Sequence, residues 1–131
     1  MLYYTALVTL ASVLFYAYLG VRVALARGQY NVAAPATAGH PIFERIYRVH
    51  MNTLEWMVIY LPCLWLFGSY VSDLGAGLLG ALWVLGRIVY MRAYEQAPEK
   101  RTQGFVIQAI AVMILFLGAL IDILARMTIG D

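Results

Sequence analysis

A stripe of polar side chains inside an apolar segment constrains this chain more than any other feature of its sequence. The segment spans about residues 41–70 and is long enough to cross a bilayer as a helix. On that helix Glu44, Arg48, Asn52 and Glu55 fall within about 80° of one another. Charges at membrane depth are costly in free energy. The stripe must therefore face a protein interior or a water-filled pocket and find partners there.

The stripe has two interpretations. In the first it is structural, with Glu44 and Arg48 forming an ion pair at positions i and i+4 that serves packing specificity. In the second it is a polar site at the membrane edge for a zwitterionic, water-soluble ligand. The residues of the stripe alone leave both interpretations open.

Composition places the chain among integral membrane proteins. Of its 131 residues, 63% are hydrophobic, which is too apolar for an ordinary soluble domain. A net charge of +2 gives no basic field for nucleic acid. Cys63 is the single cysteine, so we expect a buried structural thiol, and His40 and His50 have no partners spaced for a metal site. We expect one domain over residues 1–131.

Four transmembrane helices account for the chain, at about residues 2–26, 41–70, 74–95 and 98–126. The third carries a second polar stripe, because Arg87, Tyr90 and Tyr94 fall within roughly 60° of one another. Pro98 suits the first position of the fourth helix, which places Arg101 near its start. The predicted fold is an all-α four-helix membrane bundle.

Basic residues predict the orientation in the membrane. All but one lie in or beside the first and third loops: Arg22, Arg27, Arg45, Arg48, Arg87, Arg92, Lys100 and Arg101. The positive-inside rule puts these loops in the cytoplasm and both termini on the opposite side. Both polar stripes and Arg101 then open towards the cytoplasm.

The run from Phe43 to Arg48, followed by Asn52 and Glu55, resembles the signature of the MAPEG family, the membrane-associated proteins in eicosanoid and glutathione metabolism. The likeness is closest to its leukotriene C4 synthase and microsomal glutathione transferase branch. It continues through Arg87 and Tyr90 to Arg101. The resemblance implies a homotrimer of four-helix protomers, with glutathione bound as co-substrate between adjacent subunits and no metal.

The resemblance also implies roles for individual residues. Arg101 matches the arginine thought to activate the glutathione thiol. Arg27 matches a first-helix arginine that reaches the ligand or the thiol from a neighbouring subunit. The remaining positions match residues that bind glutathione or belong to the same site: Arg48, Asn52, Glu55, Arg87, Tyr90 and Tyr94. The second substrate would be a lipophilic electrophile from the bilayer, and transferase and peroxidase activities would share the same thiolate.

Three positions depart from the family pattern. Gly28 stands where leukotriene C4 synthase has a second consecutive arginine, His50 replaces a glutamine, and Trp56 replaces a site tyrosine. We therefore expect an altered glutathione pose and a natural substrate other than leukotriene A4.

Other classes of function compete with a transferase. A non-catalytic lipid-binding scaffold occurs in the same family but lacks the full arginine set, so Arg48 and Arg101 favour an enzyme. A small multidrug exporter would require an acidic residue in its first helix, and none lies between residues 2 and 26. A purely structural membrane protein would leave two converging polar stripes without a purpose.

Overall fold

The computed structural model describes residues 1–130, and within them the chain forms four α-helices and no strand. The helices are α1 (Tyr3–Gln29), α2 (Pro41–Tyr70), α3 (Asp73–Gln96) and α4 (Thr102–Ile129), with a 3₁₀ turn over Pro98–Arg101. Of the described helices, α1, α3 and the segment Pro98–Ile129 are long and apolar enough to cross a membrane. α2, which carries four charged residues in its first half, is not among them. The predicted all-α membrane bundle is confirmed.

Three helix ends differ from the predicted positions by three or four residues, and one of them is the end of α4, which continues beyond residue 126 to Ile129. α1 continues beyond residue 26 to Gln29, and Arg27 in its last turn favours the negative end of the helix dipole. The predicted fourth helix begins as a 3₁₀ turn at Pro98, and its α-helical part starts only at Thr102. Arg101 is the residue immediately before α4, so its side chain starts at the positive end of that helix.

α2 and α3 form the centre of the bundle, because each packs against both α1 and α4. Where α2 meets α3, the rings of Tyr60 and Trp83 stack with their centroids 4.0 Å apart. The Tyr60 hydroxyl lies 3.0 Å from Ser12 Oγ on α1. This half of the interior is largely apolar, and the polar residues of α2 and α3 lie at the other end of the bundle.

Polar contacts fasten both ends of α3 to its neighbours. At its start, the Asp73 carboxylate accepts hydrogen bonds from the backbone N–H groups of Tyr4 and Thr5 at 3.0 and 2.8 Å, which caps α1. At its end, Glu95 forms an ion pair with Arg22 of α1. Arg45 of α2 donates to the backbone carbonyls of Glu95 and Gln96 at 3.2 and 2.9 Å. The end of α3 that carries the second polar stripe is thereby held against α1 and α2.

Two glycines bring the backbones of α3 and α4 into direct contact. A Cβ atom on Gly104 would lie 2.3 Å from the backbone nitrogen of Tyr90, and one on Gly86 would lie 2.8 Å from that of Gln108. No larger residue fits at either position without moving a helix. This close approach sets the first turn of α4 beside Tyr90.

Candidate functional site

A cavity of about 370 Å³ opens where α2, α3 and the start of α4 meet. Its volume lies within the range of small-molecule sites, about 300–1,000 Å³. The lining combines two guanidinium groups, an amide, two hydroxyls and one apolar ring: Arg48, Asn52, Tyr90, Arg101, Thr102 and Phe105. Such a donor-rich lining suits a ligand that carries anionic groups.

The α2 stripe contributes Arg48 and Asn52 to the lining of this cavity. Arg48 Nη1 lies 3.5 Å from Glu55 Oε1, and both side chains are 54% exposed. The structural interpretation proposed an ion pair with Glu44, but the partner that the structure shows is Glu55. An ion pair this exposed contributes little to stability. Both side chains are thus accessible to a ligand.

Arg87 lies behind the cavity and does not line it. Its side chain is fully buried, and it donates hydrogen bonds to Asn52 Oδ1 at 2.9 Å and to Thr53 Oγ1 at 2.7 Å. Its guanidinium carbon sits 4.3 Å from the centre of the Tyr90 ring, in a cation–π contact. Arg87 therefore supports two residues that line the cavity, and its predicted part in binding glutathione stays a prediction.

Tyr90 and Tyr94 form a stacked pair one helical turn apart on α3, with ring centroids 5.5 Å apart. Tyr90 lines the cavity although only 3% of its surface is exposed. Tyr94 is half-buried and packs beside it. The three residues of the predicted second stripe therefore differ in position: Arg87 is buried, Tyr90 lines the cavity, and Tyr94 lies outside the lining.

Arg27 does not line the cavity of its own chain. Its guanidinium donates to the backbone carbonyls of Ala36 at 2.7 Å and Val32 at 3.3 Å, and it sits 5.0 Å from the centre of the Phe43 ring. These contacts organise the loop between α1 and α2. Its predicted contact with a ligand of a neighbouring subunit stays a prediction.

Thr102 and Phe105 line the cavity, and neither was predicted as a site residue. Phe105 packs edge-on against Trp56, with ring centroids 5.6 Å apart and an angle of 77° between the rings. It also begins an apolar groove of about 210 Å³ along α4, lined by Phe105, Val106, Ala109, Ile110, Met113 and Ile114. The available signal was spacing, since both residues follow Arg101 within about one helical turn.

The departures from the family pattern lie in different surroundings. His50 is on the opposite face of α2 from Asn52, where its ring stacks on Tyr16 of α1 at 4.7 Å. Gly28 is near the end of α1, and a Cβ atom there would have no neighbour within 4 Å. Among residues 1–130, no group of three or more His, Cys, Asp and Glu side chains could hold a metal ion.

Comparisons with known proteins cover most of the chain. The model of the MAPEG family matches residues 5–121. An uncharacterized protein of Synechocystis sp. is 46% identical over 123 residues, which are 94% of this chain and 90% of that protein. Microsomal glutathione S-transferase 2 of Homo sapiens is 35% identical over 116 residues, or 88% and 79% of the two chains. Leukotriene C4 synthase of Bos taurus is 34% identical over 121 residues, or 92% and 81%.

Proposed function

The chain belongs to the MAPEG family, and on that basis we propose that it is a membrane-bound glutathione transferase. It would join the glutathione thiolate to a lipophilic electrophile that arrives through the bilayer. One observation carries this proposal above all: a cavity lined by Arg48 and Arg101 adjoins an apolar groove, and Phe105 belongs to both. A polar thiol and a hydrophobic partner could thus meet at one residue.

The chemistry of the lining fits glutathione. Glutathione carries two carboxylates, one ammonium group and one thiol. Guanidinium forks bind carboxylates well, so we assign Arg48 to one of them, and Glu55 beside it offers a partner for the ammonium group. Asn52 and Tyr90 add hydrogen-bonding groups to the same wall. We propose that Tyr94, whose ring stacks on Tyr90, adds its hydroxyl to the same glutathione site.

We assign the activation of the thiol to Arg101. A free thiol has a pKa of about 8.5, so only a small fraction is thiolate at neutral pH. A guanidinium next to the sulfur lowers that pKa, and the positive end of α4 acts in the same direction. The thiol proton leaves to solvent as the thiolate forms.

The chemical step is a nucleophilic substitution or addition. The thiolate sulfur donates its electron pair to an electrophilic carbon and forms the S–C bond. In a substitution, the bond to the leaving group breaks and that group departs with its electron pair. In an epoxide, the C–O bond opens and the oxygen takes a proton from water. Holding thiolate and electrophile together supplies most of the rate enhancement.

We propose that the active form is a homotrimer with its sites between subunits. Arg48 and Glu55 are 54% exposed in the isolated chain, although α2 packs among helices that are apolar enough to cross a membrane. A neighbouring subunit would shield them from lipid. That subunit would also contribute Arg27, after rearrangement of its loop contacts. We further propose that the cavity faces the cytoplasm and that both termini lie on the opposite side, from the distribution of basic residues.

A non-catalytic binding scaffold is the second candidate. It is favoured by Gly28, which removes one cation of the family pattern, and by Arg27, whose guanidinium is bound to loop carbonyls. Such a protein would bind glutathione or lipid without generating thiolate. The two candidates therefore differ in the ionisation of the bound thiol.

Calorimetric titration of the purified protein with glutathione in mild detergent tests the proposal, with conjugation of a chlorinated nitrobenzene as the activity assay. We expect saturable binding in the micromolar to low millimolar range and conjugation that depends on both substrates. Binding without conjugation or thiolate would favour the scaffold. No heat of binding at millimolar glutathione, with the oligomer intact, would refute both candidates as far as glutathione is concerned.

A further inference from the structure

Arg87 is a buried cation without a carboxylate partner. Its side chain has no exposed surface, and its hydrogen bonds go to the neutral side chains of Asn52 and Thr53. Its Nε has no hydrogen-bond partner within residues 1–130. None of the salt bridges between described residues includes it, and the nearby Glu55 is paired with Arg48. The positive charge of Arg87 is therefore not neutralised by contact.

Such an arrangement is costly for folding. Removing a charge from water is unfavourable unless an opposite charge and good hydrogen bonds compensate it. The hydroxyl of Thr53, the amide of Asn52 and the face of Tyr90 compensate only in part. A bound anion in the adjacent cavity would complete the compensation, because Asn52 and Tyr90 separate Arg87 from that cavity.

Arg87 also decides what Asn52 can offer to a ligand. A guanidinium only donates hydrogen bonds, so the atom of Asn52 that faces it must be the carbonyl oxygen. The amide NH₂ group is then the part of the side chain left for the cavity. An NH₂ group recognises an acceptor such as a carboxylate or thiolate.

We propose that Arg87 is a positioning and specificity-determining residue for an anionic group of glutathione. It orients the Asn52 amide as a donor and places an uncompensated positive charge behind the cavity wall. The proposal rests on the proposed function, because the anion is taken to be a carboxylate or the thiolate of glutathione. The empty protein bears a stability cost that the bound anion relieves.

Asn52→Asp is the decisive substitution, because it puts a carboxylate of nearly the same shape 2.9 Å from Arg87. The internal ion pair should raise the Tm of the glutathione-free protein by a few degrees. The same change should weaken glutathione binding about ten- to hundredfold, since a negative charge replaces a donor. A purely structural Arg87, already compensated, predicts an unchanged or lower Tm.

Arg87→Met and the double variant that combines Arg87→Met with Asn52→Asp provide the matched control. Methionine fills similar space without charge, so Arg87→Met should leave the Tm of the empty protein unchanged or raised while glutathione binding weakens. In the Arg87→Met background, Asn52→Asp should lose its stabilising effect, because the new carboxylate has no cation. If Asn52→Asp raises the Tm equally in both backgrounds, the charge of Arg87 is not the cause and the proposal fails.

Two analogues identify the anion that is recognised. Glutathione diethyl ester lacks both carboxylates, whereas S-methylglutathione keeps them and lacks the ionisable thiol. The wild type should prefer glutathione over at least one analogue, and Asn52→Asp and Arg87→Met should reduce that preference about tenfold. A structural defect would weaken all three ligands equally, and that result would overturn the proposal. If the wild type binds none of the three, the proposed function fails, and the Tm measurements alone decide whether Arg87 is uncompensated.

Discussion

Replacing Arg101 by alanine tests the assignment that matters most for catalysis. Arg101 lines the cavity but is exposed on its outer side, so water screens its charge in part. One charge-assisted contact to an anion is worth about 1.5–3 kcal/mol, and the exposure argues for the lower end of that range. We therefore expect turnover to fall about ten- to thirtyfold at pH 7, with the pKa of the bound thiol raised by roughly one unit.

The direction of this pKa shift predicts how turnover depends on pH. Arg101 stabilises the thiolate, so its removal raises the pKa of the bound thiol towards or beyond the ordinary value of about 8.5. Turnover of Arg101→Ala should then recover as the pH rises through that value, whereas the wild type should already have reached its plateau. Binding should change less than turnover, because other groups hold the carboxylates.

Thiolate absorbance at about 240 nm, measured on adding glutathione at a series of pH values, follows the ionisation directly. Arg101→Lys should restore part of the signal, because it restores the charge without the fork geometry. Lys100→Ala is the matched control, since Lys100 is a basic residue of the same 3₁₀ turn and does not line the cavity. Equal thiolate signals and equal pH profiles for Arg101→Ala and wild type would remove Arg101 from the mechanism.

Further predictions concern packing, the second substrate and assembly. Gly104→Ala should lower the Tm by several degrees and reduce glutathione binding, because its Cβ would lie 2.3 Å from the Tyr90 nitrogen, whereas Gly28→Ala should leave the Tm unchanged or slightly raised. Equal thermal shifts for both variants would contradict the α3–α4 contact. Phe105→Ala should raise the KM for an apolar electrophile about three- to tenfold and the KM for glutathione by less, because Phe105 lines both the groove and the cavity. A selective effect on glutathione would show that the groove is not the route of the electrophile. Native mass spectrometry in mild detergent should give the mass of three chains, and a monomer that retains glutathione affinity would exclude a site shared between subunits.

Much of the fold follows from local features of the sequence. Long apolar segments separated by Gly, Pro and charged residues specify the membrane helices, because each helix satisfies its own backbone hydrogen bonds. Local rules still miss some capping residues. His40 has no predicted role, yet its Nδ1 accepts a hydrogen bond from the backbone N–H of Ile42 at 3.2 Å and caps α2. Histidine is not among the residues by which a helix start is usually recognised.

Pairing between distant charges could not be read from spacing. Arg22 is one of the basic residues near the first loop, but it pairs with Glu95 of α3, which lies 73 residues away in the chain. Likewise helical spacing favours an ion pair of Arg48 with Glu44, but the Arg48 guanidinium lies beside Glu55. The sequence shows which charged residues each helix carries. The rotation and position of one helix relative to another determine which of these residues form ion pairs.

The amino-acid sequence alone places Arg48, Asn52 and Glu55 on one face of the second helix, because helical phase is a local property of the chain. It could not determine that Arg87 is buried behind this face while Arg101 lines the same cavity. Those positions depend on how closely α3 approaches α4, and the backbone contacts at Gly86 and Gly104 decide that distance. Only the packed bundle distinguishes Arg101, which lines the cavity, from Arg87, which supports its wall, because the burial of a side chain depends on the neighbouring helices that cover it.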